Sequence, residues 1–407
     1  RRVQLEARYL GAWREQGLPG VALYEAEHAS LKQDHHDLVL SLRGRDLGLP
    51  GAELRGHVQA ARRQTVVDDR RGELGLPMHT EQTVDGLATS WRWLGPAWGP
   101  ARLELTGNAD QGQVEQADLR SGKDAPPSQR TSLGAGLGLP LRWAQPEISL
   151  LPSLSVQRLQ SERAWLPVEA VGWGKLDVPP RNLVTGRLAA SWQANEWLRL
   201  HGGWTRSARP PTLAELFGND GAVLGNHVLL DESAQGVDVA ASVQADLATV
   251  ALRARLAGFA MEIEDLIGLR RVSAHQARYD NLAAATLLGA ELETGAVFDR
   301  RLDLSARATA LLPRDDSPAA EYAGKDLPMR SRWRVDLRAG LKGRPWRTLG
   351  LLDGWLAWRW QAPHYTDRVN RIQVPGRSSL DAGAALAAVG DRLRLTLRMD
   401  NLLDQAN

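Results

Sequence analysis

The chain contains no cysteine. That excludes disulfides, thiolate metal sites, a cysteine nucleophile and thiol redox chemistry, and it suits an exported bacterial protein. Long apolar runs are missing as well: no stretch reaches the roughly 18 residues of a transmembrane helix. The opening Arg1-Arg2-Val3-Gln4-Leu5-Glu6-Ala7-Arg8-Tyr9-Leu10 alternates like a strand where a signal peptide would carry an apolar core. Charge of one sign is also lacking, because 50 Lys and Arg stand against 48 Asp and Glu for a net +2. Without a cationic field, a nucleic-acid role is excluded. Lysine is scarce, five of those 50 basic residues, and the arginine excess reads as coding bias of a GC-rich genome that also supplies rigid guanidinium groups.

What the chain has is period-2 alternation, in blocks separated by Gly, Pro, Asp and Asn. Leu393, Leu395, Leu397 and Met399 alternate with Arg392, Arg394, Thr396 and Arg398, which gives one apolar and one cationic face. Trp333, Val335, Leu337, Ala339 and Leu341 repeat this against Arg332, Arg334, Asp336 and Arg338. Val250, Leu252, Ala254 and Leu256 oppose Arg253 and Arg255. A soluble sandwich or propeller also alternates. Arginine on one face and small aliphatics with Trp on the other fit a water-filled lumen inside a lipid-facing wall better. Trp is abundant at 15 copies against 3 Phe. Several Trp, namely Trp91, Trp93, Trp98, Trp143, Trp165, Trp346 and Trp360, stand at segment ends, as a headgroup belt requires. Only a closed barrel satisfies every backbone group in lipid with strands. The fold class expected is therefore all-β, a transmembrane antiparallel β-barrel of about 18 to 20 strands. Loops are expected at 28–37, 68–83, 121–130, 161–181, 217–232, 314–325 and 363–377.

No catalytic, cofactor or metal residues emerge. His35 and His36 face opposite ways on a strand and suit a solvated loop. Asp68-Asp69 and Asp315-Asp316 have no Gly-punctuated calcium loop around them. Glu262 and Glu264 share a face and are expected to line the lumen. The run Leu133-Gly134-Ala135-Gly136-Leu137-Gly138 has no Lys-Ser/Thr of a phosphate loop and alternates like a strand.

One segment is more specific. Gly203-Trp204-Thr205-Arg206-Ser207-Ala208-Arg209-Pro210-Pro211-Thr212-Leu213-Ala214-Glu215-Leu216-Phe217 resembles the S-x-x-F-R-x-P-x-x-x-E-L-F signature of TonB-dependent outer-membrane receptors. Gly225-Asn226-His227-Val228-Leu229-Leu230-Asp231-Glu232 is similar to that family's G-N-P-x-L-x-P-E run, with His227 and Asp231 in place of the usual prolines. Tyr279-Asp280-Asn281 followed by Gly289-Ala290-Glu291-Leu292-Glu293 matches Y-x-N … G-x-E-x-E, and Asp400-Asn401-Leu402-Leu403-Asp404 is similar to N-L-F-D. These motifs fall in family order across residues 203–404.

The resemblance implies a 22-stranded barrel with an N-terminal plug inside it and TonB as periplasmic energy-coupling partner. It further implies residence in the outer-membrane lipid of a Gram-negative bacterium. The cargo implied is a scarce ligand, a ferric siderophore first and cobalamin second. No plug precedes Arg1 and Asn407 stops before a last strand, so residues 1–407 are expected to be one partial barrel domain without plug, first strands and final strand. Arg206, Arg209, Pro210, Glu215, Gly225, Asn226, Glu232, Asn281, Gly289, Glu291 and Asn401 carry the signature and are expected to be structural. Trp165, Trp173 and Lys175 are the candidate ligand contacts. The alternatives are a passive porin, which the signature disfavours, and an outer-membrane hydrolase, which would need a Ser/His or Asp/His site that the segments do not assemble.

Overall fold

Alternation becomes pairing in the computed structural model, which describes residues 2–18, 26–74, 77–164, 175–218, 223–273, 276–282, 284–346, 350–388 and 393–404. The elements are β1 (Arg2–Gly17), β2 (Ser30–Arg45), β3 (Glu53–Asp69), β4 (Met78–Trp98), β5 (Ala101–Asp118), β6 (Lys123–Gly138), β7 (Leu141–Ala144), β8 (Glu147–Ala164), β9 (Lys175–Gln193) and β10 (Leu198–Arg209). After α1 (Leu213–Phe217) come β11 (Val223–Leu224), β12 (Glu232–Leu247), β13 (Val250–Glu264), β14 (Ile267–Arg271), β15 (Ala277–Asn281), β16 (Ala285–Phe298) and β17 (Leu302–Asp315). The chain continues as β18 (Trp333–Trp346), β19 (Gly350–Gln361), β20 (His364–Tyr365), β21 (Gln373–Val374), β22 (Arg377–Ala388) and β23 (Leu393–Met399).

Eighteen of these strands form one sheet. Each long strand pairs antiparallel with the next one in the chain, from β1 to β23, while β11, β14, β15, β20 and β21 stand apart in two small sheets. The short β7 continues β6 beyond Leu139-Pro140 and still pairs with β5 and β8. Pro140 has no N–H to give the ladder, so the strand is interrupted there.

Apart from 46–52 and 119–122, the connections alternate in length. Residues 99–100, 145–146, 248–249 and 299–301 make tight turns at one end, while 210–231, 265–284, 316–332 and 362–376 make long excursions at the other. Short turns on one rim and long loops on the opposite rim are the pattern of an outer-membrane barrel.

The inward face is concave and polar. Arg199, Arg253, Arg255, Arg307, Arg338 and Arg359 line a shared cavity of about 1720 Å³, together with Glu293, Asp336 and Asp381. Register places Ser242, Arg255, Glu293, Arg307, Asp336 and Arg359 directly beside one another across six strands. Unlike charges therefore stand opposite each other, as in the Arg307–Glu293 pair at 3.2 Å, and like-charge repulsion is avoided. Trp355 also faces inward, covers Gly383 where a Cβ would lie 2.4 Å from its Nε1, and carries Arg338 at 5.0 Å from its ring. Outward residues are apolar and uncovered: Leu395 is 59% and Leu397 61% exposed, while Arg398 on the opposite parity lines the cavity.

Two expectations need correction. Segments 28–37, 68–83, 121–130 and 161–181 are not loops throughout: β2 starts at Ser30, β3 runs to Asp69 and β4 starts at Met78, β6 starts at Lys123, β8 runs to Ala164 and β9 starts at Lys175. About 10 tilted residues cross a bilayer, whereas β4 has 21. The surplus strand rises above the hydrocarbon, where both faces are wet, so pairing continues although the hydrophobic alternation stops. For the same reason Glu262 and Glu264 do not line the lumen. They share parity with outward Leu256 and meet Gln235 and Ser233 above the apolar band.

Candidate functional site at the loop end of the barrel

At the top of β10 the chain leaves the wall and immediately turns into α1. Thr212 caps that helix in a capping box: its Oγ1 accepts from the Glu215 N–H at 3.2 Å, and the Glu215 carboxylate accepts from the Thr212 N–H at 2.6 Å. The second Glu215 role is electrostatic. Arg209 donates through Nη1 to both Glu215 oxygens, at 3.2 and 3.0 Å, and through Nε to Glu232, the first residue of β12. Glu232 uses its other oxygen to accept from the Ile267 N–H at 2.6 Å, which ties in β14. One guanidinium thus joins the end of β10, the helix and the start of β12 with charge-assisted bonds in a fixed fork.

The neighbouring signature residues extend this junction. A Cβ on Gly225 would lie 2.3 Å from the Phe217 carbonyl carbon, so only glycine fits where the returning loop crosses the helix end. Asn226 donates to the Tyr279 carbonyl at 2.9 Å, and its own N–H donates to the Glu215 carbonyl at 3.0 Å. Asn281 accepts from the Leu230 N–H at 2.8 Å and donates to the Asp265 carbonyl at 2.7 Å. Beneath these bonds Val178, Leu216, Phe217, Leu229 and Ile267 form the main buried apolar cluster of the described residues.

Sequence reasoning missed three arginines that clamp this cluster from the wall. Arg130 donates to Ser161 at 2.8 Å and to the Pro211 carbonyl. Arg163 donates to the Phe217 carbonyl at 2.7 Å, closing the C-terminus of α1. Arg181 reaches both Asp231 and the Leu229 carbonyl at 2.6 Å. Nothing in the alternation distinguishes them from lumen arginines.

The remaining signature residues do not join the cluster. Arg206 is exposed on the outward face, opposite Gly186 and Gln235. Pro210 only starts the turn, Gly289 makes room for Phe259, whose Cζ would be 2.4 Å from an added Cβ, and Glu291 stands between Ala257 and Thr309 in β16. Asn401, at φ 54, follows β23 and donates its N–H to Asp381 at 2.9 Å. Of the candidate ligand contacts, Trp165 and Trp173 lie outside the described residues, and Lys175 opens β9 opposite Ala164.

Further loops are locked in the same style. Asp315 is 1% exposed and receives Arg368, whose guanidinium also lies 4.1 Å from the Tyr322 ring centroid. Arg332 pairs bidentately with Asp326 at 2.8 Å. Asp367 accepts from the N–H groups of Arg371 and Ile372, at 3.0 and 2.6 Å, and the Arg371 bond above all lowers its carboxyl below the ordinary range. Glu73 is lowered likewise, chiefly by the backbone N–H of His28 at 2.8 Å, then by the His28 ring, with the Ala29 N–H adding a smaller share. Among the described residues no group of three His, Asp or Glu is placed to hold a metal.

Locked loops stand over an arginine-lined lumen, and residues 29–402 match the family model described as TonB dependent receptor-like, beta-barrel. The chain belongs to the TonB-dependent receptor β-barrel family. Proteins of this family are receptors and transporters of the Gram-negative outer membrane, not enzymes, and that membrane is where this barrel resides. It is similar in fold to the siderophore receptor PiuA from Acinetobacter baumannii, with TM-score 0.74 and 15% identity over 99% of this chain and 68% of that one. The copper transporter OprC gives 0.71 and 14%, covering 93% and 65%. The ferric yersiniabactin uptake receptor FyuA from Yersinia pestis gives 0.69 and 16%, covering 93% and 57%. The chain therefore spans about two thirds or less of the length of these structures. No curated protein sequence matches it significantly.

Proposed function

We propose that this barrel is the transmembrane part of a receptor that imports a ferric siderophore by TonB-energised transport. The carrying observation is the lumen wall, where Arg253, Arg255, Arg307, Arg338 and Arg359 border a cavity of about 1720 Å³. The lining carries eight arginines against six carboxylates, and that positive balance suits an anionic iron chelate. The siderophore receptors among its structural relatives favour the same cargo. In the intact protein an N-terminal plug fills this lumen and TonB pulls on it. The loop-end clamp around Arg209 then acts as scaffold, holding the loops that touch the ligand, with Trp165, Trp173 and Lys175 among the contacts.

The test is uptake of radiolabelled iron chelates by cells carrying the full-length protein. Uptake is expected to vanish when TonB is deleted; persistence without TonB would make the barrel a passive channel. Exchanging segments 70–77 and 165–174 for those of a receptor with another ligand is expected to switch preference, whereas Arg209→Ala lowers receptor abundance without switching it.

A further inference from the structure

Tyr9, Leu38, Ala60, Leu87 and Gln111 stand side by side on the outward face, one from each of the strands β1 to β5. Two residues lower, the same strands carry Ala7, Leu40, Val58, Thr89 and Ala109; two residues higher they carry Gly11, His36, Arg62, Asp85 and Gln113. The outer wall thus passes from apolar to polar in one step. On an outer-membrane barrel this step marks where hydrocarbon gives way to headgroups.

The row also dips. Ala60 offers only a methyl between Leu38 and Leu87, which are 44% and 50% exposed, and a cavity of about 420 Å³ opens over it. Tyr9 walls one end, its hydroxyl 2.7 Å from His36 Nδ1 and its ring stacked on that imidazole. Arg62 overhangs the dip and is only loosely engaged, 3.8 Å from Asp85 with both side chains about half exposed. Most of its five donors therefore remain open to an acceptor in the headgroup layer.

We propose that this groove seats a phosphorylated glycolipid of the outer leaflet. One acyl chain lies in the dip over Ala60, between Leu38 and Leu87, while a headgroup phosphate is taken by Arg62 beside Asp85. The Gln111 and Gln113 amides meet sugar hydroxyls beside it. The apolar dip below and the guanidinium above match an amphiphile with a phosphate-bearing head, which a soluble anion does not supply. The seat lies on the outside of the wall, away from the lumen, so it rests on the membrane placement and not on the identity of the cargo.

The full-length protein, purified from its own outer membrane, is titrated with bisphosphorylated lipid A and followed by native mass spectrometry. Retention of lipid A is expected to fall about ten-fold in Arg62→Gln and in Ala60→Leu, and to stay unchanged in Arg314→Gln, another outward arginine. Dephosphorylated lipid A should bind correspondingly less, and millimolar inorganic phosphate should not displace the lipid. Equal retention of the two lipids, or parental retention by Arg62→Gln, overturns the proposal; displacement by inorganic phosphate overturns it too, because the apolar dip would then contribute nothing. Cargo uptake by Arg62→Gln should match the parent, which separates this outcome from any failure of the transport reading.

Discussion

Asp315, almost wholly buried where β17 ends, receives Nε and Nη2 of Arg368 from a loop 53 residues further along the chain. The pair fastens excursion 316–332 to excursion 362–376, and the Tyr322 ring covers the guanidinium face. Truncating Arg368 to alanine leaves a buried carboxylate without its counter-charge, so a loss of about 3–5 kcal/mol is expected. Denaturant unfolding in detergent should show it, together with faster proteolysis within 362–376. A change below about 1 kcal/mol would mean that the loops are held by something else.

Arg209 makes a geometric demand that lysine cannot meet. Its Nε and Nη1 address different carboxylates at once, on Glu232 and Glu215. Both Arg209→Ala and Arg209→Lys are expected to destabilise the barrel by about 1–3 kcal/mol, with lysine recovering less than half of the loss. Thermal unfolding of the two variants side by side is the measurement.

Glu73 makes stability at the 26–29 and 70–74 junction depend on pH. Its folded carboxyl titrates below the ordinary value because the His28 N–H, then the His28 ring and the Ala29 N–H, bind its charged form. A depressed folded pKa contributes stability that is present above the unfolded value and lost as pH falls through the folded one. Comparing the parent with Glu73→Gln, the difference in unfolding midpoint should be full at pH 7 and shrink steadily below about pH 4. A gap that stays constant down to pH 2 would contradict the role given to this carboxylate.

Leu256 and Ala257 test the assignment of faces. Leu256 is 58% exposed on the lipid side, and Ala257 is the next residue along β13, turned inward. Leu256→Arg is expected to cost about 2–4 kcal/mol, and Ala257→Arg less than about 1 kcal/mol. Folding into lipid vesicles followed by urea titration should separate them. A larger cost for Ala257→Arg than for Leu256→Arg would place the lumen on the other parity.

Much of the wall was legible because a strand between lipid and water must alternate. Val250 to Leu256 against Arg253 and Arg255 could be assigned to faces from sequence alone. The junction at Arg209 was legible as a motif but not as a mechanism, since the capping box needs only Thr212 and Glu215 at the right spacing while Glu232 lies 23 residues away. Arg130, Arg163 and Arg181 were invisible for a different reason. Their targets include backbone carbonyls of Pro211, Phe217 and Leu229, and a carbonyl leaves no signature in the residue type. Strand tops such as Lys32 to Asp37 were mistaken for loop because polarity on both faces erases the period while the backbone ladder continues unchanged.

Those tall strands set a height. From the step at Ala60 to the top of β3 at Asp69 the wall climbs nine residues, which at 3.3 Å each and a tilt near 40° is about 20 Å above the hydrocarbon edge. On that side the barrel is a chimney whose mouth stands clear of the headgroups. On the proposed transport reading, a cargo molecule held by the loops stands further above the arginine-lined shaft than a Debye length. Loops and shaft are thus electrically separate, so a charge change in the shaft leaves the field at the loops unaltered.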